Sequence, residues 1–286
     1  MYDRNNTGAD VSYGSRAEIR GFLMVIELAI LMLLWMPIGC ATGPVPVTGP
    51  ARAPDPVDEL LEKLERAADD LRDFSANIRY DKWDAVLERT EIRTGKVIYQ
   101  VDQADGSKRF AILLERLIVG NRARNQRKHY IFDGSWLVEI DHDAKVFIKR
   151  QIVAPDKQFD PLKLGEGPFP LPIGQPKDEV LARFDVQRID APKEGLLKNL
   201  SDVYGLRLIP KPNTPEAEDF QRVDLFYDRQ TLLPTGINVL EVNGDHKTVR
   251  LRNLRRNQGV DEDKLSIKTP DPKQGWHIDV RPWRPQ

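Results

Sequence analysis

From Val57 onward the apolar residues fall at Val57, Leu60, Leu61, Leu64, Ala67, Ala68 and Leu71. That spacing puts them on one helical face. The opposite face carries Glu62, Lys63, Glu65, Arg66, Asp69, Asp70 and Arg72. Pro56 suits a first helical position, after Asp55 as cap, with Asp58 and Glu59 in the first turn. The pattern predicts one amphipathic helix of about 17 residues, with an apolar stripe that must lie on something. After Asp73 the period drops to two. Alternating segments begin at Asn77, Arg89, Gly95, Arg109, Lys128, Ser135, Lys145, Gly205 and Arg222, and again at Trp276. Short strands at hairpin spacing favour antiparallel pairing. The clearest hairpin runs from Leu233 to Leu254 around Asn243-Gly244, a dipeptide suited to a type I′ turn.

Between these strands, Phe159 to Gly174 is rich in Pro and Gly yet apolar, so it is expected to pack across the sheet rather than stand in solvent. Pro176 to Phe184 reads as a short helix, with Val180, Leu181 and Phe184 inward, and Leu196 to Leu200 as a further helical turn. The sum is a mainly β (α+β) fold. One helix precedes an antiparallel meander of about nine to eleven strands, with a Pro/Gly-rich insertion at about 155–200.

The N-terminus has a different pattern. Residues 21–39 (GFLMVIELAILMLLWMPIG) contain one charge, Glu27, behind Arg16 and Arg20, and small residues follow. A basic flank, an apolar core and a small-residue exit are the order of an export signal. Met36-Pro37-Ile38-Gly39-Cys40 resembles a bacterial lipobox, in which Cys40 would be lipidated. Gly39-Cys40-Ala41 also fits ordinary signal cleavage, and about 20 apolar residues can instead remain as an anchor. All three put the rest of the chain in the periplasm or cell envelope. Residues 40–56 then form a Pro-rich tether, and residues 57–286 the folded domain.

Composition narrows the function. Lys plus Arg total 43 against 44 acids in 286 residues, a balance without the basic footprint of a nucleic-acid binder. A 40 % hydrophobic content excludes a disordered chain. One cysteine excludes a disulfide framework and a Cys-rich zinc site. His129, His142, His246 and His277 show no metal-ligand spacing, and Asp141-His142-Asp143 reads as a hairpin turn. Gly165, Gly167 and Gly174 alternate with prolines and open no phosphate loop. Arg122, Arg124, Arg127 and Lys128 read as a solvated loop, or else as a contact for phospholipid head groups or an acidic partner. With no convergent catalytic set, the sequence leads us to expect no enzyme, no cofactor and no metal.

Several short motifs occur in a telling order. Leu71-Arg-Asp-Phe74-Ser75-Ala76 opens the first strand, and Gly95-Lys-Val-Ile-Tyr99 and Lys108-Arg109-Phe110 follow. Phe132-Asp133-Gly134-Ser-Trp136 forms a hairpin, and Leu265-Ser-Ile267-Lys-Thr-Pro270-Asp-Pro272-Lys-Gln-Gly275 closes the series. This order resembles the LolA/LolB-like lipoprotein carriers and outer-membrane lipoprotein-sorting proteins, over roughly Val57 to Val280. The resemblance implies a half-open antiparallel β-barrel, or strongly curved sheet, with the N-terminal amphipathic helix as lid. It implies an apolar cavity that binds acyl chains of lipoproteins or phospholipid by burial alone. Tyr99, Phe110, Ile112, Tyr130, Phe132, Trp136, Phe147 and Phe226 are the candidate lining, and Leu60, Leu61, Leu64 and Leu71 the lid contacts. The expected protein is a monomeric envelope carrier or acceptor, held to a membrane through its N-terminal segment. The alternative is an envelope sensor or scaffold of the same fold that binds a protein partner. That alternative predicts a filled interior and an exposed apolar patch.

Overall fold

The computed structural model describes residues 56–102, 106–153 and 172–283. The export segment, Cys40, most of the tether and most of the Pro/Gly-rich stretch lie outside the described residues. Among the described residues no helix is long and apolar enough to cross a membrane.

Helix α1 (Pro56–Arg66) begins on the proline, carries Asp58 and Glu59 in its first turn and Lys63 and Arg66 in its last, and buries Leu60, Leu61 and Leu64. These charges complement the helix dipole. The apolar spacing predicted a longer helix, continuing to Leu71. Instead the chain tightens after Arg66. The amides of Ala68, Asp69 and Leu71 donate to the carbonyls of Glu65, Arg66 and Ala68, three residues back. Asp69 and Asp70 would put acid at the negative end of a longer helix, which favours stopping. Leu71 keeps its place in the core, 5 % exposed, from the turn rather than from the helix.

Twelve strands follow, where about nine to eleven were predicted. They are β1 (Asp73–Asp84), β2 (Arg89–Val101), β3 (Lys108–Val119), β4 (Arg122–Phe132), β5 (Trp136–Asp141), β6 (Val146–Gln151), β7 (Phe184–Ile189), β8 (Val203–Pro210), β9 (Phe220–Asp228), β10 (Pro234–Glu241), β11 (His246–Arg256) and β12 (His277–Arg281). Helix α2 (Lys177–Arg183) precedes β7, and α3 (Glu216–Asp219) precedes β9. The sheet order is β12-β6-β5-β4-β3-β2-β1-β11-β10-β9-β8-β7. Two meanders, β1 to β6 and β7 to β11, are thus joined through the β1–β11 pair. Every pairing is antiparallel except β12 on β6, which is parallel.

The edge strands β7 and β12 do not pair with each other, so the sheet is not closed. Laid flat, twelve strands would span about 53 Å, whereas an 11-residue helix is about 16 Å long. Residues from Phe132 on β4 to Leu208 on β8 are nonetheless buried in one cluster with the α1 leucines. The sheet therefore curls round its inner face, as a half-open barrel does.

Three local readings are corrected. The basic run from Arg122 is not a loop. It is the exposed start of β4, paired through Arg122, Ala123 and Arg124 with Val119, Ile118 and Leu117 of β3. Within the insertion the short helix expected from Pro176 to Phe184 is present as α2, but the residues after it form the edge strand β7, which was not expected. Asn243-Gly244 does not form a type I′ turn, because only Gly244 has positive φ, at +90°. The Gly244 amide donates to the Glu241 carbonyl, and the Glu241 amide to Asp245. This is a type I turn closed by a left-handed glycine.

Candidate functional site: an apolar inner face under a helical lid

Alternation along each strand sorts the side chains onto two faces. Phe74, Ile78, Val97, Tyr99, Phe110, Ile112, Phe132, Leu206, Leu208, Val223, Leu225, Tyr227, Ile237, Val239, Val249 and Leu251 form one cluster with Leu60, Leu61, Leu64 and Leu71. This is the inner face. Its rings are in contact: Phe110 and Phe132 stack with centroids 5.7 Å apart, and Phe74 and Tyr99 lie 5.5 Å apart.

The eight candidate lining residues do not all share that face. Tyr99, Phe110, Ile112 and Phe132 belong to the inner cluster, and Tyr130 packs half-buried against it. Phe147 is in the second cluster, on the outer face, with Ile98, Ala111, Leu113, Ile131, Val138, Ile140 and Leu265. Trp136 shares strand parity with Val138 and Ile140, and Lys149 stands 4.7 Å over its ring. Phe226 alternates with Leu225 and Tyr227, and is fully buried beside Gly236, against which Leu197 and Leu200 pack.

The lid is pinned at several polar points. Lys177 Nζ donates to Glu62 at 2.7 Å, and the Lys177 amide donates to Glu65. That hydrogen bond to Lys177 holds the Glu62 carboxyl below the usual carboxylate range. Lys63 donates to the Tyr204 hydroxyl, and Arg256 donates to the Ala67 carbonyl and to Asp70. Gly174 runs against the end of α1. A Cβ there would come 2.2 Å from that of Ala68, and its φ is +61°, so the approach requires glycine. Beside it the Tyr227 hydroxyl donates to the Pro172 carbonyl at 3.2 Å, and full burial pushes this phenol up. At the rim of the inner face Lys128 pairs with Glu139 at 2.7 Å. Burial alone would lower the lysine, but Tyr130 and Glu139 overrule it and raise it.

Between the lid and the sheet, a void of about 20 Å³ remains, lined by Leu61, Leu64, Gly174, Gln175, Leu225 and Tyr227 among others. That is room for one water, not a ligand. Gln175 Nε2 is buried there without a hydrogen-bond partner. A much larger cavity, about 1030 Å³, opens on the outer face, and none of the eight predicted residues lines it.

No family model and no curated protein matches the sequence. Solved structures similar in fold include MucB, at 16 % identity over 74 % of this chain and 62 % of that one, with a TM-score of 0.44. The Pseudomonas aeruginosa MucA/MucB complex scores 0.41. An uncharacterized conserved protein from Thermus thermophilus is 10 % identical over 79 % of this chain and all of that one, with a TM-score of 0.44. A LolA superfamily protein from Nitrosomonas europaea is 9 % identical over 74 % and 97 %, with a TM-score of 0.32. The last is of the family that the sequence motifs resemble. The chain spans about three fifths of the length of the MucB chains it matches.

Proposed function

We propose that this protein binds acyl chains of lipids or lipoproteins on its inner face, with α1 as a displaceable lid, and performs no chemistry on them. One observation carries the reading. An apolar interior shared by most of the sheet is plugged by an 11-residue helix resting on three leucines. Three buried leucines contribute about 5–9 kcal/mol, and an acyl chain of about ten methylenes contributes about 8 kcal/mol. The exchange is close to neutral, which suits a carrier that must also release. The unmet donor of Gln175 would find an acceptor in an ester carbonyl. An isolated helix of this length is marginal in water, so a lifted α1 would fray. The export segment and Cys40 support a place in the cell envelope.

The test is native mass spectrometry of the full chain purified in neutral detergent, with lipid extraction of the same sample and uptake of an acylated peptide. Bound lipid, with uptake increased in the Leu61→Ala, Leu64→Ala double variant, is the expected result. A clean mass with no uptake by either protein overturns the reading.

A second reading, binding of a protein partner, is favoured by a different observation. Val86 (87 % exposed), Leu87, Trp83 and Val242 stand out at two hairpin tips, which the Ala85 amide ties together by donating to Asp245 Oδ1. If Val86→Asp, Leu87→Asp abolishes function in cells while acyl uptake is unchanged, the partner reading takes over.

A further inference from the structure

The outer cavity lies across the middle of the sheet. The Leu196 turn lines it on one side and the segment from Asp263 to Lys268 on the other. Its floor is set by strand register. Arg252 on β11 pairs with Asn77 on β1, which pairs with Lys96 on β2. Lys96 pairs with Leu113 on β3, Leu113 with His129 on β4, and His129 with Ile140 on β5. One cross-strand row therefore runs for about 24 Å, with Arg252 and Lys96 toward one end and Leu113 and Ile140 on either side of His129 at the other. Arg250 lies two residues from Arg252 on the same face, while the wall lysines Lys264 and Lys268 are paired with Asp261 and Asp263.

The lining acids do not balance this. Glu115 is hydrogen-bonded with His129 at 3.0 Å, away from the arginines, and Asp263 is paired with Lys268 at 3.7 Å. Arg250 donates to the Leu196 and Asn199 carbonyls, and its Nε is buried without a partner. Burial and the neighbouring Arg252 both work against its charge. Crowded cations in a concave, half-enclosed site focus potential on an anion. The apolar end, Leu113, Ile131 and Ile140, is 5–8 % exposed and continues into the second cluster.

We propose that this groove binds a single-chain lipid with an anionic phosphate head, its head held by Arg252, Asn77 and Lys96 and its tail laid over Leu113, Ile131 and Ile140. A head-and-tail groove matches a head-and-tail molecule. An acidic peptide would leave the apolar end unmatched, and strand addition would need an edge, whereas this floor is mid-sheet. The site is separate from the inner face and does not depend on the lid.

The experiment titrates the full chain in neutral detergent with 1-oleoyl lysophosphatidate, read by native mass spectrometry. The expected result is a site that prefers this lipid at least tenfold over lysophosphatidylcholine, whatever acyl binding the inner face adds. Arg252→Ala, Lys96→Ala lowers affinity at least tenfold and Arg252→Lys restores most of it. In the Leu61→Ala, Leu64→Ala background the loss caused by Arg252→Ala, Lys96→Ala is the same size, which separates this site from the inner face. Equal binding of the two lipids overturns the proposal, as does unchanged affinity in the Arg252/Lys96 variant. Full displacement by equimolar inorganic phosphate or by an oligoglutamate peptide overturns it as well. Both substituted residues are exposed, so the variant retains the fold, checked by an unchanged melting temperature.

Discussion

On the inner face Phe74, Phe110, Phe132, Leu206 and Leu225 are at most 3 % exposed and meet the leucines of α1. On the outer face the same sheet carries Arg250, Arg252, Lys96 and Arg79 at its centre. Toward β5 and β6 the outer face is again apolar, covered by Val260, Leu265, Ile267, Trp276 and Ile278 of the C-terminal segment. On β8 and β9 it carries Arg207, a third exposed, which grips Asp224 with two hydrogen bonds, at 2.7 and 3.0 Å. The inner face is buried along the sheet, with room for one water under the lid, and the outer face is covered mainly by the C-terminal segment. Burial makes the first a core that opens by moving a helix. Incomplete cover makes the second a standing groove.

The largest expected effect tests whether the inner face is core. Phe132 is fully buried and stacked on Phe110. Phe132→Ala is expected to destabilise by about 3–5 kcal/mol in urea unfolding. A loss below about 1 kcal/mol would mean that the inner face is already open to solvent.

The next variant asks whether the outer face is everywhere tolerant. Asp224 is 7 % exposed on its side chain and faces both Arg207 and Arg222, each about a third exposed. Removing one partner of a buried pair costs about 3–5 kcal/mol. Solvent at the two arginines screens part of this, so Asp224→Ala is expected to cost about 2 kcal/mol. Double-mutant cycles with Arg207→Ala would isolate the pair. Gly174→Ala is expected to cost about 1–2 kcal/mol from its left-handed backbone. The clash with Ala68 would loosen the lid and raise acyl uptake, a change that the Asp224 variant would not show.

Acid distinguishes the faces again. His142 lines the outer groove, with Nε2 3.1 Å from Nδ1 of His129 and Trp276 edge-on to its ring. Burial, then the neighbouring His129 and Arg127, hold it below its ordinary value of 6.5, against Glu115 and Asp143. Between the two values the unfolded chain binds a proton that the folded chain refuses. This stability is fully present above pH 6.5 and is lost as the pH falls through that value toward the folded one. Melting temperature is expected to drop between pH 7.5 and 5.5, and to drop less in His142→Gln.

Much of the fold was legible, because alternation reports a face wherever one face is buried. Residues 74–78 declare themselves in this way, whereas 97–99 and 110–114 are buried on both faces and show as unbroken apolar runs. The first residues of β4 did not, since Arg122 to Asn125 are all exposed and have no face to bury. The parallel seat of β12 beside β6 was invisible, because partner choice belongs to the whole sheet and not to the alternation of residues 276–280. Helix α1 was overrun because Ala68 and Leu71 keep the helical spacing but sit in tight turns. Of the candidates that the resemblance implied, the lid leucines and five of the eight lining residues lie in or against the inner cluster. The outer groove was missed because its cations come from residues 96, 250, 252, 264 and 268, and only pairing through Asn77 draws β2 and β11 together.

The smallest expected effect on stability is the most informative about the groove. Arg252 is exposed, and it sits opposite Asn77 in the β1–β11 register. Its removal takes away a charge that Arg250 opposes. Exposed substitutions of this kind usually change stability by less than about 0.5 kcal/mol, and relief of like charge pushes Arg252→Ala toward the stabilising side. If the arginine were a structural clamp, the variant would instead melt several degrees lower. A neutral or slightly raised melting temperature, together with tenfold weaker lysophosphatidate binding, would show a side chain placed for a ligand at no benefit to the fold.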